Sequence, residues 1–249
     1  VAYETLATSR TPALIIYLLD ISASMSQPMG AASRIGVVTE ALAASFRQMV
    51  FRSTKGSRIS PRYRIALYAY SDHVYDLLDG VKTVDQVAAL GVPQLSPQRM
   101  TNTFAAFSQA EKLLHEELPR IGDCPAPLVC HMTDGEYNGN DPEPVAQRIM
   151  AMAVRDGRVL VENIFLSDKI LGRTVTDPTR WTGVLPSTEL QGKYPQKLRA
   201  MSSPLPASYR GMMEEFDIHL AEDALMLLPG TSPELVALGF QMAAATPVR

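Results

Sequence analysis

Cysteine, histidine, tryptophan and long apolar runs are all scarce in this chain, and each scarcity closes a class of function. Of 249 residues, two are Cys, four are His and one is Trp. Two cysteines cannot build the disulfide framework of a small secreted scaffold, and without nearby partner ligands they do not make a zinc site. Cys130 sits in an apolar, strand-like run and reads as a small buried hydrophobe; Cys124 lies in the preceding loop, and a bridge between the two is the lesser expectation. His73, His115, His131 and His219 show no metal-ligand spacing. His131, inside the apolar run, reads as a core residue with satisfied ring nitrogens. No apolar run approaches the ~20 residues of a membrane span. Positive charge is not in surplus either: the formal net charge is −3, against the basic footprint of a nucleic-acid binder. The one basic stretch (Arg47, Arg52, Lys55, Arg58, Arg62, Arg64) falls on a helix end and loop and reads as a solvated connection. P-loop, dinucleotide fingerprint and G-x-S-x-G elbow are all missing. No secretory signal is visible. The sequence starts at Val1 rather than Met, which leaves a signal or further domain open. The sparse cysteines favour a reducing, cytoplasmic setting.

What the chain does have is apolar material, 46% of its residues, enough for one large domain over 1–249 with a full core. The run Ala13–Leu19 reads as a buried strand. Arg34–Val50 carries apolar residues at helical spacing. Arg64–Tyr70 and His73–Leu78 read as two strands joined by a link short enough for a hairpin, so one of them should be antiparallel. Val84–Leu90 and Phe104–Leu118 read as helices, Pro127–Met132 as a strand buried on both faces, and Pro142 to about Arg155 as a helix opened by prolines. Arg158–Leu166 is another strand. Residues 167–208, rich in Pro, Thr, Ser and Gly, read as an irregular insertion with one short helix near Tyr194–Met201. A helical turn at Arg210–Phe216, a strand at Ala224–Leu228 and a terminal helix Pro233–Ala245 capped by Ser232 follow. Strands alternating with helices imply an α/β fold with a mostly parallel sheet covered on both faces and one antiparallel edge strand.

The chemistry concentrates at strand ends. Asp20-Ile21-Ser22-Ala23-Ser24 follows the first strand and sets one carboxylate and two hydroxyls at alternate positions, which on an extended chain point one way. Ligands of open α/β sheets bind outside the carboxyl ends of strands, and hard oxygens of this kind suit Mg²⁺ or a similar cation. Thr133-Asp134-Gly135 sets a second carboxylate after a central strand, with Gly135 there to allow a tight turn. Met100-Thr101-Asn102-Thr103 precedes a central helix, and capping by Asn102 or Thr103 is its plainer reading. Gln27, Asn102, Glu136, Tyr137 and Asn138 fall in loops around the same point, as rim candidates or as ordinary polar loop residues.

Asp-x-Ser-x-Ser after the first strand, Thr-x-Thr before a central helix and Thr-Asp-Gly after a central strand together resemble the von Willebrand factor A (vWA) domain and its metal-ion-dependent adhesion site. The resemblance covers nearly the whole element order apart from 167–208. It implies a three-layer, Rossmann-like α-β-α fold. It also implies that Ser22, Ser24 and Thr101 are hydroxyl ligands and that Asp20 and Asp134 are the acidic residues of a site for Mg²⁺, Mn²⁺ or Ca²⁺. An open coordination position would then accept an Asp or Glu of a partner protein. Gln27, Asn102 and Glu136 are the rim candidates for that partner. The bacterial intracellular group of the family, which includes tellurium-resistance-associated proteins, is the nearest in flavour. The family often has Gly where this chain has Ala23, and Gly-Gly where it has Arg99-Met100, which alters the rim but removes no ligand. The rival expectation is a Mg²⁺-dependent, phosphatase-like hydrolase using Asp20; such enzymes place a second Asp two residues on, where Ser22 stands here.

Overall fold

The computed structural model describes residues 2–167 and 170–248. Strand β1 (Ala13–Asp20) is buried along its whole length. Its side chains divide by parity: Ala13, Ile15, Tyr17 and Leu19 enter one apolar cluster, and Leu14, Ile16 and Leu18 the other. A run with no polar alternation requires both faces to be covered. The other strands of this sheet are β2 (Tyr63–Tyr70), β3 (Val74–Asp76), β4 (Lys82–Thr83), β5 (Leu128–Thr133), β6 (Leu160–Phe165) and β7 (Leu227–Pro229). Their order is β7-β6-β5-β1-β2-β3, with β4 also paired to β2. All pairs from β7 to β2 are parallel. The expected hairpin is present, β3 running antiparallel to β2, and the short β4 adds a second antiparallel pairing at the other end of β2.

Helices α1 (Arg34–Ser53), α2 (Val84–Leu90) and α7 (Pro233–Ala243) cover one face, and α3 (Thr103–Glu117) and α4 (Glu143–Ala151) the other. The result is a three-layer α-β-α sandwich. Ser232 caps α7 as expected, its hydroxyl accepting from the Leu235 amide at 3.3 Å. Two short helices, α5 (Lys193–Ala200) and α6 (Ala207–Glu214), complete the set.

Two expectations need correcting. The helix read as far as Arg155 stops at Ala151, and the chain then turns through a hairpin pairing Ala153–Val154 with Gly157–Arg158. Asp156 holds that turn in place: its carboxylate accepts from the amides of Glu4, Thr5 and Ala126. Arg155 and Asp156 are the turn residues, and Gly157 takes the fourth position, where turns favour glycine. The basic stretch is not merely solvated. Arg52 donates to the carbonyls of Ala244 and Thr246 after α7, Arg62 to that of Arg52, and Arg64 forms a forked pair with Glu117. Cys124 and Cys130 are both buried and free.

Residues 168 and 169 of the 167–208 insertion lie outside the described residues. The remainder gathers Ile170, Val184, Leu190, Tyr194 and Leu198 into a small apolar cluster with Phe165 and Leu227. Helix α5 is tied beside α4 by Lys197, which reaches Asp141 and Glu143. Tyr194 meets Tyr137 at 6.1 Å and Phe165 at 5.4 Å between ring centroids. The insertion therefore abuts the loop that follows β5.

Candidate metal centre

β1 and β5 are neighbours in parallel register, Leu19 opposite Met132, so their carboxyl ends bring Asp20 and Thr133 together. The Thr133 hydroxyl donates to Asp20 Oδ2 at 2.7 Å, and the Ser22 amide donates to Asp20 Oδ1 at 2.7 Å. Backbone at Ser22 is extended (φ −61°, ψ 165°), after which Ala23–Ser26 form a single 3₁₀ turn. The alternation expected of Asp20, Ser22 and Ser24 thus holds only to Ser22. The turn nevertheless keeps the two serine hydroxyls 3.1 Å apart, and Ser24 Oγ donates to Asp134 Oδ1 at 2.7 Å. Asp20, Ser22, Ser24 and Asp134 form one hydrogen-bonded chain.

Thr101 is buried at the same end of the sheet, and its hydroxyl is not bonded into that chain among the described residues. Its place is set through the backbone. The Thr101 amide donates to Asn138 Oδ1 (3.2 Å) and the Asn138 amide donates to the Thr101 carbonyl (2.7 Å). Asn138 is four residues beyond Asp134, so the two loops are clamped together.

Both carboxylates lie out of solvent: Asp20 is fully buried, and the Asp134 side chain shows no exposure. Burial pushes the Asp20 carboxyl up to about 6; bonds from Thr133 and Ser22 pull it down, and the Asp134 charge adds to the rise. Asp134 has a countercharge, Arg34 Nη1 at 2.9 Å from Oδ2. The donor set fits a hard divalent cation, two carboxylates with hydroxyls and no soft ligand. Among the described residues no three His, Cys, Asp or Glu side chains cluster as a metal site, so hydroxyls would have to supply the rest.

Beneath the site runs a buried polar row. His131 Nδ1–H donates to Asn163 Oδ1 and His131 Nε2 accepts from the Tyr70 hydroxyl, each at 2.7 Å. Asn163 in turn donates to the Met201 carbonyl and to Ser202 Oγ. Burial brings the His131 pKa down to about 4, so the ring is neutral, the satisfied core residue expected.

Of the rim candidates, Gln27 and Glu136 are exposed. Asn102 instead caps α3, its Oδ1 accepting from the Ala105 amide at 3.1 Å, which is the plainer of its two readings. Gly135 sits in the bend after β5, its amide donating to Thr133 Oγ1 at 3.3 Å; its φ is not positive and a Cβ there would meet nothing within 4 Å. Three positioning residues carry little signal in the sequence. Thr133 reads as a strand end, Asn138 as a loop or rim residue and Arg34 as a helix start, although a cation at a helix's first position opposes the helix dipole and needs a reason.

No family model matches the sequence, and no curated protein does. Solved structures match it in fold. PilB minor pilin from Streptococcus sanguinis superposes over 95% of this chain and 62% of its own, at TM-score 0.57 and 10% identity. The SpRpn10 VWA domain covers 92% of this chain and 93% of its own, at TM-score 0.50 and 11% identity. The chain has the vWA fold. Proximal thread matrix protein 1 of the mussel byssus, at TM-score 0.54 and 16% identity, covers 94% of this chain and 48% of its own, so the vWA fold here spans about half the length of that protein. In this fold Asp20, Ser22, Ser24 and Asp134 occupy the carboxyl ends of adjacent central strands and the turns that follow.

Proposed function

We propose that this vWA chain is a divalent-cation-dependent protein–protein interaction module. Asp20, Ser22, Ser24, Thr101 and Asp134 would hold Mg²⁺, or Mn²⁺ or Ca²⁺, and the cation supplies an electrophilic position for an Asp or Glu of a partner protein. The observation that supports this reading is the pairing of two solvent-shielded carboxylates with a hydroxyl cluster and a single monovalent countercharge. Two buried negative charges against one positive charge leave the site short of positive charge, and a hard cation corrects that. Serine and threonine ligands would leave the cation more electrophilic than carboxylates would. Gln27, Glu136 and Met100, all exposed, would form the outer rim on which partner choice depends. A reducing, cytoplasmic setting and a bacterial intracellular affiliation belong to the same proposal.

The phosphatase-like alternative finds less support. A nucleophilic carboxylate needs an open oxygen, whereas Asp20 is fully buried with both oxygens accepting hydrogen bonds.

Calorimetry with Mg²⁺ and Mn²⁺ tests the reading. Wild type is expected to bind one cation, and Asp134→Ala to lose at least about 100-fold in affinity, the loss of one carboxylate at a partly dry site. Wild type that binds neither ion would sink it. A pull-down with and without EDTA then looks for the partner, whose capture should vanish with chelator.

A further inference from the structure

Among the described residues, Arg34 is the one cation placed in the candidate centre, and several observations bear on what it does there. Its guanidinium meets Asp134 Oδ2 at 2.9 Å while Ser24 takes the other oxygen. The Asp134 side chain has no solvent exposure, so its charge requires a positive partner whether or not a metal is bound. Arg34 is the first residue of α1, where the helix's positive end repels a cation, and no acidic residue lies in that first turn to offset it. Among the described residues, Asp134 is the only acidic group paired with it. Finally, Arg34 Nε is buried without a hydrogen-bond partner among the described residues. The arginine's seat is incomplete and leaves a donor unsatisfied, at a cost. Its side chain keeps 18% of its exposure, which is a route out to solvent.

We propose that Arg34 is a built-in counter-cation that competes with the divalent ion for Asp134, so that loading the centre exchanges one for the other. This inference rests on the cation-binding reading above. In the absence of metal, Arg34 neutralises Asp134 and keeps its loop closed on Ser24. A divalent ion beside the same carboxylate would meet the guanidinium's like charge, which favours release of Arg34 toward solvent. Release would relieve the unfavourable placement of a cation at a helix N-terminus and let Nε reach water. Arg34 would then have its fork available to an acidic partner. The exchange sets a threshold: affinity for the ion is lower than the oxygen donors alone would give.

The test is calorimetry with Mn²⁺ and Mg²⁺ on wild type, Arg34→Gln and Arg34→Lys, alongside thermal unfolding in EDTA and in excess Mg²⁺. Arg34→Gln is expected to bind Mn²⁺ about tenfold tighter than wild type, for removal of one nearby like charge. It should melt lower in EDTA, because Asp134 then lacks its partner, and gain more from Mg²⁺. Arg34→Lys, which keeps the charge without the fork, should fall between them and controls for folding. Equal or weaker Mn²⁺ binding by Arg34→Gln, with wild type still binding, overturns the competition and leaves the cation reading intact. If wild type binds neither ion, the cation reading fails and the competition fails with it.

Discussion

Phe240→Ala is expected to lower the unfolding free energy by about 4 kcal/mol, the usual cost of emptying a buried aromatic site. Phe240 is fully buried on the inner side of α7 and stacks on Tyr17, their ring centroids 5.8 Å apart and planes 19° from parallel. Tyr17 in turn meets Phe46 of α1 edge-on at 6.0 Å. The Phe240 carbonyl accepts from Ser45 Oγ, so one residue joins the terminal helix, α1 and the central strand. Little can collapse into the hole, since Gly239 already brings the helix backbone against Ile164: a Cβ there would sit 2.5 Å from Ile164 Cδ1. Urea denaturation followed by circular dichroism measures the loss. A value under about 2 kcal/mol would mean that α7 repacks freely and is not anchored by this ring.

Glu162→Gln works in the opposite direction and is expected to stabilise the protein at pH 7. Glu162 lies in the middle of β6 with zero exposure, and neither carboxyl oxygen has a hydrogen-bond partner among the described residues. Across the ladder stands Cys130, whose thiol is a weak donor. Burial pushes the Glu162 carboxyl well above its ordinary 4.5, against a weaker downward pull from the Cys130 thiol, so folding favours the neutral acid. The folded state therefore binds a proton that the unfolded chain releases, and stability falls as pH rises from about 4.5 toward the folded value. Asp20, raised from 3.8 to about 6, adds a slope of the same sign between those values. Denaturation at several pH values between 5 and 8 should show wild type losing stability with pH and Glu162→Gln losing much less. Parallel pH profiles for the two proteins would refute the assignment. Glu162→Met, which also removes the unpartnered polar atoms, should be at least as stable as Glu162→Gln.

Much of the fold was legible because this chain's strands are apolar without alternation and its helices are amphipathic. The run Ala13–Leu19 announced a central strand, and the short link after Tyr70 announced the antiparallel edge. What misled was punctuation. The α4 pattern continues past Ala151 in composition, and only the Asp156-Gly157 pair marks the hairpin. In the site, side chains that carry charge or hydroxyls at strand ends stood out, which is why Asp20, Ser22, Ser24 and Asp134 were found and why they meet in space. Residues that act through another group did not stand out. Thr133 looks like the last residue of a strand, Asn138 like a loop residue and Arg34 like any helix start; each has its role only through a partner 37 or more positions away.

The reciprocal bonds between Thr101 and Asn138 have a dynamic consequence. Each loop supplies one amide donor to the other, so neither can open locally without breaking a bond that belongs to its neighbour. Fluctuations of the two rims are thus a single cooperative event rather than two independent ones. The entropy of aligning them is already lost on folding, and an incoming ligand meets a preorganised mouth instead of having to assemble one.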